Sequence, residues 1–395
     1  MRRLVLSTAP FMFVVLGGLL GLTMLSSGAA ASPTGSASAW TPAAVPSPTT
    51  SNDVILYGMS CTSATFCIAA GSGPDYPVVE QWNGQGWTLA TLPSGTGGGF
   101  NGVSCVASLF CMAVGGDGPP GGGVVLTEEW NGSNWSVIPT PSLGGDDYSL
   151  VSVSCASSTW CVAVGWEGST VLVEQWNGSG WTEANAAPPA GYNLYQLNSV
   201  DCLSSAFCVA VGNATVNQEP VTFIETWDGA TWSVTSSPSP SVPNPETSSQ
   251  NVLNAVSCAS ETFCVATGDY FAEPLGIQPL IETWNGSIWT VTPNPTQSPV
   301  VPGVLNGVDC VSPSQCTAVG MANDDSTPAR VSETLAEDWN GSIWSLETTP
   351  NQGANGTWFG AVSCAGASQC AAGGRTDTTP RHDGSYVYSP SLPAP

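Results

Sequence analysis

The chain has 395 residues, and its 29 acidic and five basic residues give a formal net charge of −24 at pH 7. A protein this negative repels nucleic acid and anionic membranes, so we expect neither as a partner. Charged residues make up only 9% of the chain and none of them is lysine, so the surface must consist mainly of Ser, Thr, Asn, Gln and Gly. Such a surface suits an extracellular protein that meets acid or proteases.

The N-terminus has the order of a secretory signal peptide. Arg2 and Arg3 come first, an apolar run extends from Phe11 to Leu25, and small residues follow up to Ala31. We therefore predict a signal peptide at residues 1–31 and a secreted, extracellular protein. The alternatives are a twin-arginine signal or a retained N-terminal anchor, although the apolar run is short for a membrane span. No second apolar segment approaches that length, so we expect no membrane span after cleavage.

Fourteen cysteines occur as seven pairs, and each pair encloses five residues. In an exported protein this regularity predicts seven local disulfides, because every copy would have to break the pattern to pair differently. The chain has a single histidine, which argues against a zinc site. The predicted disulfides are Cys61 with Cys67, Cys105 with Cys111, Cys155 with Cys161, Cys202 with Cys208, Cys258 with Cys264, Cys310 with Cys316, and Cys364 with Cys370.

Each cysteine pair opens a repeat, and six of the seven copies end in a second motif. The repeat reads V-S-C-x5-C-x-A-V-G and then, after a variable loop, E-x-W-N-G-x-x-W. Successive first cysteines lie roughly 44 to 56 residues apart, a period typical of one four-stranded propeller blade. Asn-Gly after the third strand predicts a hairpin turn with positive φ. We expect the tryptophans that flank this turn to pack between blades.

The two ends of the mature chain complement each other. Residues 39–48 match the last strand of a repeat, whereas the seventh copy, which begins near Val362, has no W-N-G-x-x-W motif. Unpaired sheet edges are unfavourable, so we predict that residues 39–48 complete the last blade. The predicted fold is an all-β, seven-bladed propeller of four-stranded antiparallel blades over residues 39–395, after a flexible leader at 32–38. The blades are expected to start near residues 58, 102, 152, 199, 255, 307 and 361.

One hairpin resembles the Asp-box of sialidase-type propellers. The segment from Trp227 to Trp232 reads W-D-G-A-T-W, with an aspartate-glycine turn before an aromatic residue, while the other five turns carry Asn in place of Asp. The leading serine of the Asp-box is absent. The cysteine half of the repeat is similar to repeats in secreted bacterial propeller proteins of mostly unassigned function. The resemblance implies a propeller fold and no particular reaction, because the Asp-box is a structural turn.

A glutamate lies two residues before the first tryptophan of the hairpin in six copies: Glu80, Glu128, Glu174, Glu225, Glu282 and Glu337. A row of carboxylates invites a catalytic interpretation. Because the residue recurs in blade after blade, we interpret it as part of the scaffold, bonded to turn or neighbouring-strand amides.

Function is expected at one end of the propeller. The cysteine turn and the Asn-Gly turn are short and repeated and share one end of each blade, whereas the other loops differ in every copy and share the opposite end. Binding residues usually lie on variable loops that a fixed scaffold positions. Tyr192 and Tyr195 belong to that end, and the candidate binding residues there are Trp166, Tyr270, Phe271, Asp324, Asp325, Arg330, Trp358, Arg375, Asp377, Arg381, His382 and Asp383. The charged ones come from the last two blades and are expected to converge beside the central opening; the alternative is that they are solvated loop charges.

We predict a non-catalytic scaffold that binds a glycan or a protein, because aromatic side chains stack on sugar rings while Asp and Asn bond their hydroxyls. One alternative is a glycosidase or lyase, which needs opposed carboxylates or an arginine cluster. Another is a structural protein of the cell envelope. We assign no catalytic residue, metal site or cofactor, and consider calcium only at the loops of Asp324 and Asp325 or of Asp146 and Asp147. We expect a monomer.

Overall fold

The computed structural model describes residues 40–44, 46, 54–73, 76–93, 97–117, 124–141, 148–167, 170–184, 191–240, 251–272, 275–296, 302–324, 331–351, 356–379 and 382–390. All of them belong to the compact unit Ser38–Pro395. Within these ranges the secondary structure is β-sheet, and no helix is long and apolar enough to cross a membrane. The predicted signal peptide and leader lie outside the described residues.

The described strands form seven four-stranded sheets. Sheet 1 contains β2 (Ile55–Ser63), β3 (Phe66–Ser72), β4 (Pro77–Trp82) and β5 (Trp87–Leu89), and sheet 2 contains β6 (Gly99–Ala107), β7 (Phe110–Asp117), β8 (Val124–Trp130) and β9 (Trp135–Val137). Sheet 3 contains β10 (Tyr148–Ser157), β11 (Trp160–Glu167), β12 (Thr170–Trp176) and β13 (Trp181–Glu183), and sheet 4 contains β14 (Tyr192–Ser204), β15 (Phe207–Val216), β16 (Glu219–Trp227) and β17 (Trp232–Thr235). Sheet 5 contains β18 (Asn251–Ser260), β19 (Phe263–Ala272), β20 (Gly276–Trp284) and β21 (Trp289–Val291). Sheet 6 contains β22 (Gly303–Ser312), β23 (Gln315–Asp324), β24 (Val331–Trp339) and β25 (Trp344–Leu346), and sheet 7 contains β26 (Thr357–Gly366), β27 (Gln369–Thr379), β28 (His382–Pro390) and β1 (Trp40–Ala44).

All sheets have one antiparallel order, with the first strand of the repeat at one edge and the fourth strand at the other. The first strands of successive sheets contact one another and surround the centre, which is the architecture of a β-propeller with four-stranded blades. Strand β1 pairs with β28, from Trp40 opposite Pro390 to Ala44 opposite Tyr386. The N-terminal segment therefore completes the last sheet, which removes two edges that would otherwise lack a partner.

This order places the loops at two ends of each sheet. The cysteine turn and the hairpin turn lie at one end, which we call the turn end. The loops between second and third strands and the connections between sheets lie at the other end, which we call the variable-loop end.

The first strands are longer than the sequence predicted. Strand β10, for example, begins at Tyr148 rather than near residue 152, and β14 begins at Tyr192 rather than near residue 199. Each first strand contains a β-bulge before the V-S-C motif, as between Leu150 and Ser152, and the extra residue reverses the side-chain alternation used to find the strand. Opposite the bulge, a Cβ on Gly165 would lie 2.0 Å from the Ser149 carbonyl oxygen, which explains the glycine of the A-V-G motif.

The seven predicted disulfides are all present, and within the described residues no cysteine is free. Each joins register partners of the first and second strands, as Cys155 and Cys161 do. The apolar core lies between sheets: Val162 and Val164 of sheet 3, for example, pack with Phe223 of sheet 4. The fold thus consists of similar stapled sheets whose buried faces meet only their neighbours.

Candidate binding site at the variable-loop end

The turn end is held by the same contact in six sheets. The indole Nε1 of the third-strand tryptophan donates to a backbone carbonyl of the cysteine turn, as Trp82 does to Ala64 at 3.0 Å. The equivalent donors are Trp130, Trp176, Trp227, Trp284 and Trp339. Each packs on the fourth-strand tryptophan, with ring centroids 5.8 Å apart for Trp82 and Trp87. This end is therefore fixed and nearly identical from sheet to sheet.

The hairpin turns differ from the expectation in one detail. Only the glycine has positive φ, +89° at Gly84, whereas Asn83 serves as an acceptor. Its Oδ1 accepts the backbone N–H groups of Gln85 and Gly86 at 3.0 and 3.1 Å. Asp228 makes the same bonds in sheet 4, and the two N–H donors hold the pKa of its carboxyl below the usual value. The Asp-box-like turn is thus a local structural device.

A row of hydrogen bonds links the first strands near the centre. In each sheet the backbone N–H of the first cysteine donates, at 2.7 to 3.0 Å, to the side chain that precedes the first cysteine of a neighbouring sheet. The acceptors are Ser60, Ser104, Ser154, Asp201, Ser257, Asp309 and Ser363. These bonds satisfy inner-edge N–H groups that no strand pairs with.

Two members of this row are carboxylates. Burial raises the pKa of Asp201 and that of Asp309, the latter to about 6, and the charge of Asp201 adds to the shift at Asp309. Asp201 accepts from the Cys258 N–H at 2.7 Å and from the Ser154 hydroxyl at 3.2 Å. Within the described residues no three His, Cys, Asp or Glu side chains are grouped to hold a metal ion. We therefore assign both carboxylates to the inner-edge bonds.

The six recurrent glutamates are enclosed between sheets. The exposed fraction is at most 1% for every one of them. Each lies opposite an alanine of the second strand, as Glu174 lies opposite Ala163. At least one oxygen of each carboxylate has no hydrogen-bond partner among the described residues, and in Glu128 and Glu174 this is true of both oxygens. No ligand of ordinary size can reach these groups, so they are not a catalytic row.

Within the described part of the chain, the amide partners predicted for these glutamates are found in some members of the row and absent in others. Glu337 does accept from the backbone N–H and the hydroxyl of Thr296, and Glu282 accepts from the Ser237 hydroxyl at 2.7 Å. For Glu128 and Glu174 the prediction of amide partners is wrong among the described residues, because neither carboxylate oxygen of either side chain has a hydrogen-bond partner there. Burial raises the pKa to about 7 for four members of the row and to about 8 for the other two, Glu80 and Glu282.

The predicted aromatic residues lie on several sheets and do not form one cluster. Trp358 and Arg375 are half-buried register partners of β26 and β27. Tyr270 and Phe271 are consecutive on β19, so their side chains point to opposite faces of sheet 5. Trp166 shares the face of Val162 and Val164 on β11, because alternate residues of a strand point the same way. That face packs against sheet 4.

Only some residues of the predicted charged cluster lie among the described residues. Asp324 ends β23, Asp377 and Asp383 are register partners in β27 and β28, and His382 begins β28. Three other members of the set, Asp325, Arg330 and Arg381, lie outside the described residues, as do Asp146 and Asp147. Convergence of these charges, and calcium at either Asp pair, therefore remain predictions.

A cavity of about 450 Å³ opens at the variable-loop end of sheet 4. It exists because β17 pairs only with the stretch from Ile224 to Trp227 of the longer β16, which leaves the start of β16 uncovered on its outer side. Eleven residues line it, none of them charged: Tyr192, Val216, Val221, Thr222, Phe223, Ile224, Val234, Thr235, Ser236, Ser237 and Ser239. The lining combines the aromatic rings of Tyr192 and Phe223 with five serine and threonine side chains.

Packing and hydrogen bonds fix the shape of this cavity. The rings of Tyr192 and Phe223 lie 5.4 Å apart, and both residues belong to the apolar cluster that packs between sheets 3 and 4. The Ser239 hydroxyl accepts the Thr222 N–H at 3.1 Å, and the hydroxyls of Thr222 and Ser237 lie 2.7 Å apart. The segment after β17 is thereby tied to β16, and it forms one wall of the cavity.

Of the residues that line this cavity, the sequence pointed to Tyr192 as a residue of the variable-loop end, but it did not point to Phe223 or to the segment from Ser236 to Ser239. The available signal was the run Ser-Ser-Pro-Ser directly after a fourth strand, where hydroxyls follow the one repeat that carries Asp in its turn.

No family model and no curated protein matches this chain. Among solved structures it is similar to YCF48 bound to D1 peptide, with 15% identity, a TM-score of 0.55, and coverage of 89% of this chain and 96% of that one. YCF48 from Cyanidioschyzon merolae gives 13% identity, a TM-score of 0.55, and coverage of 89% and 98%. A GH74 xyloglucanase from Xanthomonas campestris gives 12% identity, a TM-score of 0.52, and coverage of 88% and 55%. At these identities the likeness concerns the β-propeller fold alone.

Proposed function

We propose that this protein is a non-catalytic binding scaffold that recognises a glycan at the variable-loop end of sheet 4. The observation that carries the proposal is the cavity of about 450 Å³ bounded by Tyr192, Phe223 and five hydroxyl-bearing side chains, with no charged residue in its lining. Pockets of this size usually hold a small ligand and combine apolar walls with a few polar groups that orient it.

The chemistry of the lining favours a neutral, hydroxyl-rich ligand. Aromatic rings offer an apolar face to the C–H groups of a sugar ring, and serine and threonine hydroxyls both donate to and accept from sugar hydroxyls. Trp166 shares a face of β11 with Val162 and Val164, which pack against sheet 4, and we propose that its ring adds to the aromatic surface. The other predicted aromatic and charged residues are proposed as secondary contacts.

Binding is preferred to hydrolysis because of where the carboxylates lie. A glycosidase needs two carboxyl groups that flank the scissile bond. Burial raises the pKa of Glu80 and Glu282 to about 8, but these carboxyls and the rest of the glutamate row are sealed between sheets. The cavity itself contains hydroxyls and no carboxylate.

We further propose that the seven sheets are seven blades of one closed ring, exported as a monomer to an oxidising environment. The hydrogen bond from the Cys61 N–H to Ser363 at 2.9 Å supports closure, since it joins sheet 1 to sheet 7. Seven disulfides in one chain support export, because such bonds persist mainly outside the reducing cytosol.

A glycan array with the oxidised, signal-cleaved protein tests the binding proposal, with calcium and with a chelator. We expect saturable binding to a related set of sugars, weakened at least about tenfold in Tyr192→Ala, or roughly 1.4 kcal/mol. Tyr192→Phe, which keeps the ring, should retain most of the affinity, and Tyr57→Ala, at an exposed tyrosine of β2, serves as the control. Binding of peptides and of no glycan, or glycan binding that Tyr192→Ala leaves unchanged, would overturn the proposal.

A further inference from the structure

We propose that the buried glutamate row is a set of proton-binding sites, occupied in the folded protein at mildly acidic pH, which makes acid stabilise the propeller. The proposal concerns the interfaces between sheets and does not depend on what the cavity of sheet 4 binds. It rests on the burial of each glutamate, on carboxylate oxygens without a hydrogen-bond partner, and on the absence of a compensating cation, the last two judged among the described residues.

The surroundings of the row oppose a negative charge. Across from the six glutamates, the second strand supplies an alanine each time: Ala69, Ala113, Ala163, Ala210, Ala266 and Ala318. The fourth strand supplies an apolar residue in five cases, Leu89, Val137, Val234, Val291 and Leu346, and a carboxylate, Glu183, in the sixth. An ionised carboxylate without partners in such a place is strongly disfavoured relative to its neutral form.

The remaining neighbours do not supply a positive charge. Glu183 faces Glu174 and raises its pKa further, and the Tyr195 hydroxyl is the ionisable group that interacts with Glu225. Among the residues that the structure describes, Glu282 and Glu337 accept from hydroxyls and one backbone N–H, of Thr222, Ser237 and Thr296. The chain has no lysine, and after the predicted signal peptide it has three arginines. Of these, only Arg375 lies among the described residues.

The sign of the effect follows from linkage. In the folded protein the pKa of each member is about 7 or about 8, against a usual value of 4.5. Between those values the folded chain binds more protons than the unfolded chain, so stability falls as the pH rises. Below 4.5 both states are protonated and acid gives no further gain. Each participating carboxyl multiplies the unfolding constant about tenfold per pH unit within that window.

Other buried acids add to the effect with the same sign. Burial raises the pKa of Asp309 and that of Asp269 to about 6. One oxygen of Asp269 has no partner among the described residues, and the other accepts from the Asn254 amide at 3.3 Å. The protein should therefore be most stable near the acidic end of the window. Such stabilisation would be useful to an exported protein in an acidified medium.

Equilibrium urea unfolding of the oxidised protein at several values from about pH 5 to about pH 8 tests the proposal. If only two glutamates act, the unfolding constant should rise about hundredfold per pH unit between about pH 5 and about pH 7. Glu128→Gln and Glu337→Gln should each lower that slope by about one proton, or tenfold per pH unit. The matched control is Glu333→Gln, at an exposed position of the strand that carries Glu337, and it should leave the slope unchanged.

Infrared spectroscopy detects protonated carboxyl groups directly in the wild-type protein, so this measurement does not depend on how well the variants fold. The wild-type protein at about pH 6 should show the carbonyl band of protonated, buried carboxyl groups, and this band should diminish above about pH 8 without unfolding. Stability that is constant or rises with pH over this range, or the absence of that band, would overturn the proposal. So would Glu128→Gln and Glu337→Gln variants whose slopes equal that of the wild type.

Discussion

At the hairpin turns, asparagine and aspartate side chains accept the same pair of backbone hydrogen bonds. Asn177 accepts the backbone N–H groups of Ser179 and Gly180 through Oδ1, and Asp228 accepts from Ala230 and Thr231 in the same way. An amide oxygen and a carboxylate oxygen are equivalent here, because the turn needs only an acceptor. The following glycine has no substitute, since its φ is positive in all six turns.

Gly178→Ala should lower the free energy of unfolding by about 1 to 2 kcal/mol, the usual cost of a left-handed conformation for a residue with a Cβ. At φ +89° the new methyl group would also lie 3.0 Å from the Thr159 side chain. Gly180→Ala is the matched control in the same turn, because a Cβ there would meet nothing within 4 Å. Urea denaturation measures the difference, and equal stability of the two variants would contradict the assignment.

At the inner edge of each sheet, side chains of a neighbouring sheet take the place of a partner strand. A first strand has a partner on one side only, and its other edge faces the centre of the propeller. The neighbouring sheet satisfies this edge with side chains: Ser104 accepts the Cys155 N–H at 3.0 Å, and the Asn101 amide donates to the Leu150 carbonyl at 2.8 Å. The serine of V-S-C therefore links neighbouring sheets by a hydrogen bond, while the adjacent cysteine forms a disulfide between two strands of its own sheet.

Ser104→Ala should cost about 1 to 3 kcal/mol, because the buried Cys155 N–H is left without its acceptor. Ser108→Ala, at an exposed position in the turn that follows the same strand, should change stability by much less. Hydrogen exchange provides the more specific measurement. Exchange of the Cys155 amide should accelerate in Ser104→Ala relative to neighbouring amides, and unchanged protection would show that the bond carries little energy.

At the scale of the whole molecule, the chain ends are joined by a short strand with one large anchor. Trp40 is 5% exposed and packs against Phe359, with ring centroids 5.7 Å apart. It occupies the place that Trp87 and its equivalents hold in the other sheets, opposite Pro390. In sheet 7 the outer strand is thus held by β-pairing and one indole, whereas a covalent hairpin joins the outer strand elsewhere.

Trp40→Ala should destabilise the protein by about 3 to 5 kcal/mol, the usual cost of removing a large buried aromatic side chain. Trp40→Phe keeps the aromatic contact with Phe359 and should cost clearly less. Limited proteolysis locates the effect: cleavage in β28 should appear first in Trp40→Ala, because that strand loses its outer partner. Cleavage that begins in sheets 2 to 5 instead would contradict the role given to Trp40.

The sequence alone determined the repeating architecture for a local reason. Cysteine spacing, strand alternation and the W-N-G-x-x-W hairpin act within one repeat, so each copy predicts the same sheet independently. The fragment at Trp40 and the incomplete last copy then required the chain ends to pair. The seven disulfides followed in the same way, because each joins residues six positions apart.

Only the tertiary structure decided what happens between repeats. The bonds from Ser104 and its equivalents and the enclosure of Glu128 depend on a neighbouring sheet, and the Ser104 oxygen and its donor lie some fifty residues apart in the chain. The cavity beside Tyr192 depends on how far β16 extends beyond β17. A local pattern specifies the strands of one sheet, whereas burial, missing partners and shape are properties of the surfaces that packing brings together.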